Sequence, residues 1–383
     1  VHDPGTASPA APGGGRWSLA RYREALPALA AGPAFDSLTL GEGGTPLVAE
    51  PDGALLKLDF LMPTLSFKDR GSVVLLSAAA ALGVRRIVAD SSGNAGVSIA
   101  AYASRAGIES EIFVPAGTAE GKLAQLRAFG AGVQLVPGDR AATAAAAIER
   151  VESSGSFYAS HVFNPFFLHG TKTVAFEIWE QLGRRAPEAL VVPAGNGTLL
   201  LGAALGFSEL AAAGLIESTP RLLAVQAERC APLRGNGPVA CGPTAAEGIA
   251  IAEPPRREQM RAAVEASNGA VLTAGEDEIV SARSELARLG IDVEPTAAVA
   301  YAAWRGWAGS GAAGAAAAGA GAAGAGEGGA GEGGAGGGGA GGGGAGEAGA
   351  GEGGAGGGGR GAAGRTVVVL TGAGLKSAGG SPH

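Results

Sequence analysis

The sequence has 383 residues, a net charge of −7 and no cluster of lysine and arginine. That length suits one large two-lobed unit or two domains, and the acidic balance argues against nucleic-acid or anionic-membrane partners. Cys230 and Cys241 are the two cysteines and form no Cys-x-x-Cys, and only four histidines are present. A zinc site and a disulfide framework are therefore not expected, and a reducing cytoplasm fits.

The start of the chain is rich in Pro, Ala and Gly and shows no basic-then-apolar export pattern. The first informative stretch is "PTLSFKDRG", residues 63–71. Ser66 reads as a helix N-cap, with Asp69 three residues on in a capping-box-like spacing. Residues 71–82 are apolar on nearly all sides, which predicts a buried helix. Lys68 then lies in the first turn, where the helix dipole and desolvation both disfavour an ammonium. A neutral amine is what Schiff-base chemistry with an aldehyde requires. A lysine that packs its stem and wets its tip is the other reading.

A strand is expected at "RRIVAD" (85–90), then the loop "SSGNAG" and a helix. Asn94 between two glycines suits a left-handed backbone or a side chain aimed into a cleft. The N–H groups of this turn suit a carboxylate, although an ordinary turn also explains them. Strands at "EIFVP", "VQLVPG" and "FYAS" follow, separated by two helices, the second Ala-rich over 141–151. After "LVVPA" comes "GNGTLLLG" (195–202), in which two glycines allow close backbone approach and Thr198 opens a helix. Free N–H groups at such a start favour an anion. The spacing is neither a dinucleotide fingerprint nor a P-loop, so a small phosphate monoester remains, beside the reading of a plain tight turn. Further strands are expected at "RLLAVQAE" (221–228) and "RTVVVLTG" (365–372), the last placing the Thr371 hydroxyl at a strand end. Between them, residues 308–364 are almost entirely Gly and Ala, interrupted by Glu327, Glu332, Glu347, Glu352 and Arg360. That composition reads as a flexible low-complexity insertion and buries too little apolar area for a membrane span.

The strand cores are continuous Val/Ile/Leu runs, which suit parallel strands covered by helices on both faces. Ligands of such open sheets bind beyond the carboxyl ends of the strands, and all three glycine-bearing loops follow predicted strands. No G-x-S-x-G, H-E-x-x-H or Cys/His nucleophile signature is present.

Taken in order, "GEGGTPL" (41–47), "SFKDRG", "SSGNAG", "NPFFLHGTKTVAFEIWEQLG" (164–183), "PAGNGTLLLG", "VEPTAAVA" (293–300) and "TGAGLK" resemble the threonine synthase-like proteins. These are fold-type-II pyridoxal 5′-phosphate (PLP) enzymes, related to the tryptophan synthase β chain and the serine/threonine dehydratases. The resemblance implies an α/β fold with two open three-layer α/β/α lobes, mostly parallel sheets and a PLP cleft between them. It implies a discontinuous large PLP-binding domain over 1–66 and 171–383, and a small domain over 67–170. By position, Lys68 would carry the cofactor as a Schiff base and shuttle protons. Asn94 would bond the 3′-oxygen of its ring. Gly195, Asn196, Gly197, Thr198 and Leu199 would wrap its phosphate, and Thr371 would face the pyridine nitrogen. The turn with Ser91, Ser92 and Ala95 would receive the substrate carboxylate. No metal is implied.

The implied activity is a PLP-dependent carbon–oxygen lyase performing elimination, with or without water addition, on a small amino acid. The family reaction converts O-phosphohomoserine to threonine. A serine/threonine dehydratase or β-replacement enzyme on the same scaffold, and a non-catalytic PLP-binding protein, are the alternatives. A cytoplasmic homodimer is the implied setting. Four positions depart from the family pattern. Leu65 stands where a glycine is usual, Phe167 replaces an arginine that helps hold the substrate phosphate, and His169 and Thr171 replace Glu and Gln. Phenylalanine at 167 removes a bidentate anion partner, which tells against O-phosphohomoserine. His169 is a candidate acid/base or substrate contact, more readily a neighbour of the site than a member.

Overall fold

The Val/Ile/Leu runs form two sheets, and together these set up one cleft. The computed structural model describes residues 17–235, 239–310 and 366–374. The Gly/Ala tract expected over 308–364 lies outside these, apart from its first three residues.

The larger sheet contains β1 (Leu47–Ala49), β2 (Leu55–Leu58), β7 (Ala189–Pro193), β8 (Arg221–Ala227), β9 (Ala270–Ala274) and β10 (Thr366–Leu370). Its order is β1-β2-β10-β7-β8-β9, parallel throughout except for the β1–β2 hairpin at the edge. The smaller sheet contains β3 (Arg86–Ala89), β4 (Glu109–Pro115), β5 (Gly132–Val136) and β6 (Phe157–Tyr158) in the order β5-β4-β3-β6, all parallel.

Each sheet is covered on both faces. On the larger one, alternate residues such as Val191, Leu223 and Val368 pack against α10 (Glu276–Arg288) and α11 (Pro295–Gly309). Their neighbours Leu190, Leu222 and Val367 pack against α7 (Thr173–Gln181), α8 (Thr198–Ala212) and α9 (Arg257–Ala266). On the smaller sheet, Ile87 and Ile112 share a core with α2 (Lys68–Ala81), α3 (Asn94–Arg105) and α4 (Glu120–Ala128). Val88 and Phe113 meet Ala147 of α5 (Arg140–Ser154) on the other face. Both sheets are thus three-layer α/β/α sandwiches, with continuous apolar strands because both faces are buried. The segment at residues 19–38, which ends in α1 (Pro33–Leu38), straddles them: Leu19, Leu26, Phe35 and Leu38 join the smaller sheet's core, while Tyr22 and Ala25 join that of α7 and α8.

Helix α2 starts differently from its sequence reading. Its N-cap is Phe67, already helical at φ −56°, and the Ser66 hydroxyl is buried without a hydrogen-bond partner among the described residues. The Asp69 carboxylate accepts instead from the Thr64 N–H at 2.6 Å and the Ser98 hydroxyl at 2.5 Å. The Ser66 backbone bridges to Gly372.

One residue further on, Arg70 anchors α2 to the larger sheet. It donates to Asp59 (Nε to Oδ2, 2.9 Å) and to both oxygens of Glu177 at 2.8 Å. Lys57 donates to Glu177 at 2.7 Å, to the Thr45 carbonyl at 2.7 Å and to Gln181 at 2.8 Å. Burial alone would push the Glu177 carboxyl up, but Arg70 and Lys57 hold it well below the usual carboxylate range.

The two cysteines, expected as separate thiols, are joined. β8 ends in a turn that bridges Ala227 to Cys230, and the Gly242 N–H donates to the Arg229 carbonyl at 2.9 Å. The returning chain brings Cys241 to Cys230 with Cα atoms 4.4 Å apart, and the pair forms a disulfide. Spacing alone does not show this, because the contact depends on how the loop folds back. No helix among the described residues is long and apolar enough to cross a membrane.

Candidate active site

In a parallel sheet, the loop after each strand and the start of the next helix gather at the carboxyl edge. The larger sheet brings residues 195–198 (after β7) and 371–374 (after β10) to its edge. The smaller sheet brings residues 91–94 (after β3) and His161 (shortly after β6) to its own. The start of α2 joins the two edges. The Phe67 N–H donates to the Thr371 carbonyl at 3.1 Å, and the Ala373 N–H donates to the Leu65 carbonyl at 3.1 Å.

Lys68 therefore projects from α2 beside the end of β10. Its ammonium donates to the Thr198 hydroxyl at 3.3 Å, at the first residue of α8. The Nζ atom lies 4.4 Å from the centre of the Phe67 ring and 5.8 Å from that of Phe167. Desolvation lowers the Lys68 amine to about 7, with Glu294 opposing the shift and Arg140 adding to it. Lys68 keeps part of its surface open while its tip is poised between charged and neutral forms near neutrality.

The glycine loop after β7 has little room to spare. Gly197 sits at φ 78°, where L side chains are strained, and a Cβ there would collide with Met260. A Cβ on Gly195 would come within 3.0 Å of the Ile249 Cα. Thr171, one of the departures from the family pattern, braces this loop by donating to the Thr198 carbonyl at 2.9 Å. Leu199 is buried in the core beneath it. Asn196 points across the cleft, its Nδ2 lying 3.5 Å from His161 Nε2.

Asn94 opens α3 and donates through Nδ2 to both carboxylate oxygens of Glu294, at 3.1 and 3.2 Å. In the preceding turn the Gly93 N–H donates to the Ser91 hydroxyl at 3.3 Å. Ser91 and Ser92 are half-buried and Ala95 is buried. Thr371 is buried, only 4 % exposed. The structure thus brings Lys68, Asn94, Gly195, Asn196, Gly197, Thr198 and Thr371 to the place where the carboxyl edges of the two sheets meet.

Three residues with no part in the sequence reading of the site also lie beside these. Glu294 is the residue before α11, and "VEPTAAVA" marks its motif, but nothing in the sequence says which way its carboxylate turns. His161 is buried, and desolvation with the charges of Lys68 and Arg140 holds it well below the usual imidazole range, so it is neutral. Its signal is its place just after a strand at the carboxyl edge. Arg140, the first residue of α5, acts electrostatically on both Lys68 and His161.

Phe167 is fully buried in α6 (Pro165–Thr171). Its ring lies flat on the backbone of α2, where a Cβ on Gly71 would collide with it. The His161 ring meets it in a T-shaped arrangement, 5.9 Å between centroids. His169, on the same helix, is half-buried.

These residues suit a phosphorylated aldehyde. They supply an amine poised near neutrality, a glycine cradle at a helix start and a buried hydroxyl, Ser66, without a hydrogen-bond partner among the described residues.

Comparison with known proteins agrees. The family model described as "Pyridoxal-phosphate dependent enzyme" matches residues 38–315. The chain is 36 % identical over 293 residues to threonine synthase of Mycobacterium tuberculosis, covering 74 % of this chain and 80 % of that one. It is 34 % identical over 288 residues to threonine synthase of Methanosarcina acetivorans, covering 70 % and 71 %. Among solved structures, O-ureido-L-serine synthase matches with a TM-score of 0.65 at 18 % identity, covering 90 % of this chain and 92 % of the other. Processed threonine deaminase isoform 2 from Solanum lycopersicum matches at 0.61 and 23 % identity, covering 72 % and 76 %.

Proposed function

The chain belongs to the family of pyridoxal-phosphate dependent enzymes, and from that premise we propose a threonine synthase-like lyase acting on a small amino acid. The observation that carries this is Lys68: a desolvated amine, 3.3 Å from the hydroxyl that opens α8, where the edges of both sheets meet.

In this reading, PLP when bound supplies an aldehyde for amino groups and an electron sink for the substrate Cα. The chain's residues do the rest. Lys68 Nζ, near its midpoint at neutral pH, takes the proton from the substrate Cα and returns it further along. Gly195, Asn196, Gly197, Thr198 and Leu199 hold the cofactor phosphate with the N–H groups at the start of α8. Asn94 orients the ring oxygen. Thr371 offers a neutral hydroxyl to the ring nitrogen, a weaker partner than a carboxylate. Ser91, Ser92 and Ala95 receive the substrate carboxylate. Phe67 and Phe167 keep water from the amine.

The substrate is the finer question. Phe167 offers no charge to a substrate phosphate, so we infer a substrate with a smaller or less charged leaving group than O-phosphohomoserine. A panel of O-phosphohomoserine, serine, threonine and O-phosphoserine, read by cofactor spectrum and product, tests this. Threonine with phosphate from O-phosphohomoserine would overturn that inference. Keto acid with ammonia from serine or threonine would favour a dehydratase, the second reading that Phe167 supports.

We also propose the division into a large domain over 1–66 and 171–383 and a small one over 67–170, and a homodimer. The setting we favour is the cytoplasm. The Cys230–Cys241 bond weighs against it, and counting free thiols in protein isolated under alkylating conditions decides the matter.

A further inference from the structure

Glu294 occupies a joint of the cleft. Its backbone N–H donates to the Gly372 carbonyl at 3.1 Å, which fixes it beside the end of β10. Its carboxylate lies directly over Gly372, where a Cβ would collide with it. From there it accepts from Asn94 Nδ2 at 3.1 and 3.2 Å, reaching from the larger sheet's side to α3 on the smaller sheet. Two residues on, Thr296 accepts from the Gly248 N–H at 3.1 Å, and the neighbouring Ile249 packs on Gly195. The start of α11 therefore braces both loops that the cofactor reading needs.

We propose that Glu294 is a positioning residue of this site: its carboxylate holds the Asn94 amide across the cleft and supplies the negative charge that Lys68 faces. The inference rests on the cofactor reading of Lys68. Among the described residues, three charged or titratable groups bear on that amine or lie beside it. Glu294 comes from the start of α11, Arg140 from the start of α5, and His161, neutral, from the loop after β6. Arg140 and burial favour the neutral amine, and Glu294 is the group that favours the ammonium. Removing its charge leaves the amine neutral to a lower pH.

The test uses the full chain, freed of cofactor and then offered PLP. The growth rate of the visible absorption band is followed against pH. That rate follows the neutral fraction of the amine, so its midpoint reports Lys68. The wild-type midpoint is expected at about 7. In Glu294→Gln it moves about one pH unit lower, because the charge is lost while an oxygen acceptor for Asn94 stays. Glu294→Asp, which keeps the charge, retains a midpoint near that of the wild type. A bracing role alone would slow uptake equally at every pH without moving the midpoint. An unmoved midpoint in Glu294→Gln, with a band still forming, overturns this inference and leaves the cofactor reading standing. A wild-type chain that forms no band at any pH overturns both.

Discussion

Leu65 stands at φ 61°, a left-handed backbone that costs a branched residue roughly 1–2 kcal/mol. Two backbone hydrogen bonds of Leu65 itself hold it in this conformation. The Leu65 N–H donates to Met62 and its carbonyl accepts from Ala373. Leu65→Gly should relieve that strain while losing a half-buried side chain. We expect its net effect on thermal unfolding to stay within about 1 kcal/mol; a loss of several kcal/mol would show that the side chain is needed for packing. Phe167 gives a contrasting case. Restoring the family's arginine there puts a guanidinium into an apolar core, against Gly71. Phe167→Arg should cost at least about 2 kcal/mol of stability and should not improve phosphate binding. Tighter binding of O-phosphohomoserine in a well-folded variant would contradict this. Both substitutions are plain in the sequence, but their consequences depend on backbone angle and packing, which one sequence does not display.

Helix α2 carries the chemistry at its first residue and its anchor two residues later. Its apolar run made the helix legible, and Asp69 after Lys68 read as a capping partner of Ser66. Asp69 and Arg70 are in fact fully buried, because their partners Thr64, Ser98, Asp59 and Glu177 are distant in sequence or turned by the fold. Glu177→Ala would leave Arg70 and Lys57 short of a buried counter-charge, and should cost about 3–5 kcal/mol in chemical unfolding. A loss under 1 kcal/mol would mean that water or another acid replaces it. The same network gives a pH dependence. The Glu177 carboxyl is depressed in the folded state, so its contribution is full above the ordinary carboxylate range and fades as acid protonates it. Wild type should therefore lose stability on acidification by more than a Glu177→Gln variant does. The β1–β2 hairpin was missed, although its Asp52-Gly53 turn, with Gly53 at φ 106°, is a recognised hairpin signal. Its strands are short and only one is well buried, so they have little apolar pattern to show.

Across the whole molecule, the three-layer architecture was legible because parallel strands buried on both faces are apolar throughout. The loops that hold the site were legible because glycines mark close approach, as at Gly195 and Gly197. Contacts that cross the cleft were not. Asn94–Glu294 and Asn196–His161 each join segments whose meeting depends on how the chain folds back, and so, within the loop after β8, does the Cys230–Cys241 bond. The proposed chemistry rests on one amine. Lys57 and Lys172 are fully buried in ion pairs, with Glu177 and Glu209, and Lys122 is exposed on α4, paired with Glu247. Borohydride reduction of the PLP-loaded protein, followed by peptide mass mapping, tests the assignment directly. The pyridoxyl mass should fall on the peptide containing Lys68 and be absent from Lys68→Ala, whereas an adduct on Lys57, Lys122 or Lys172, or one that persists in that variant, would contradict it.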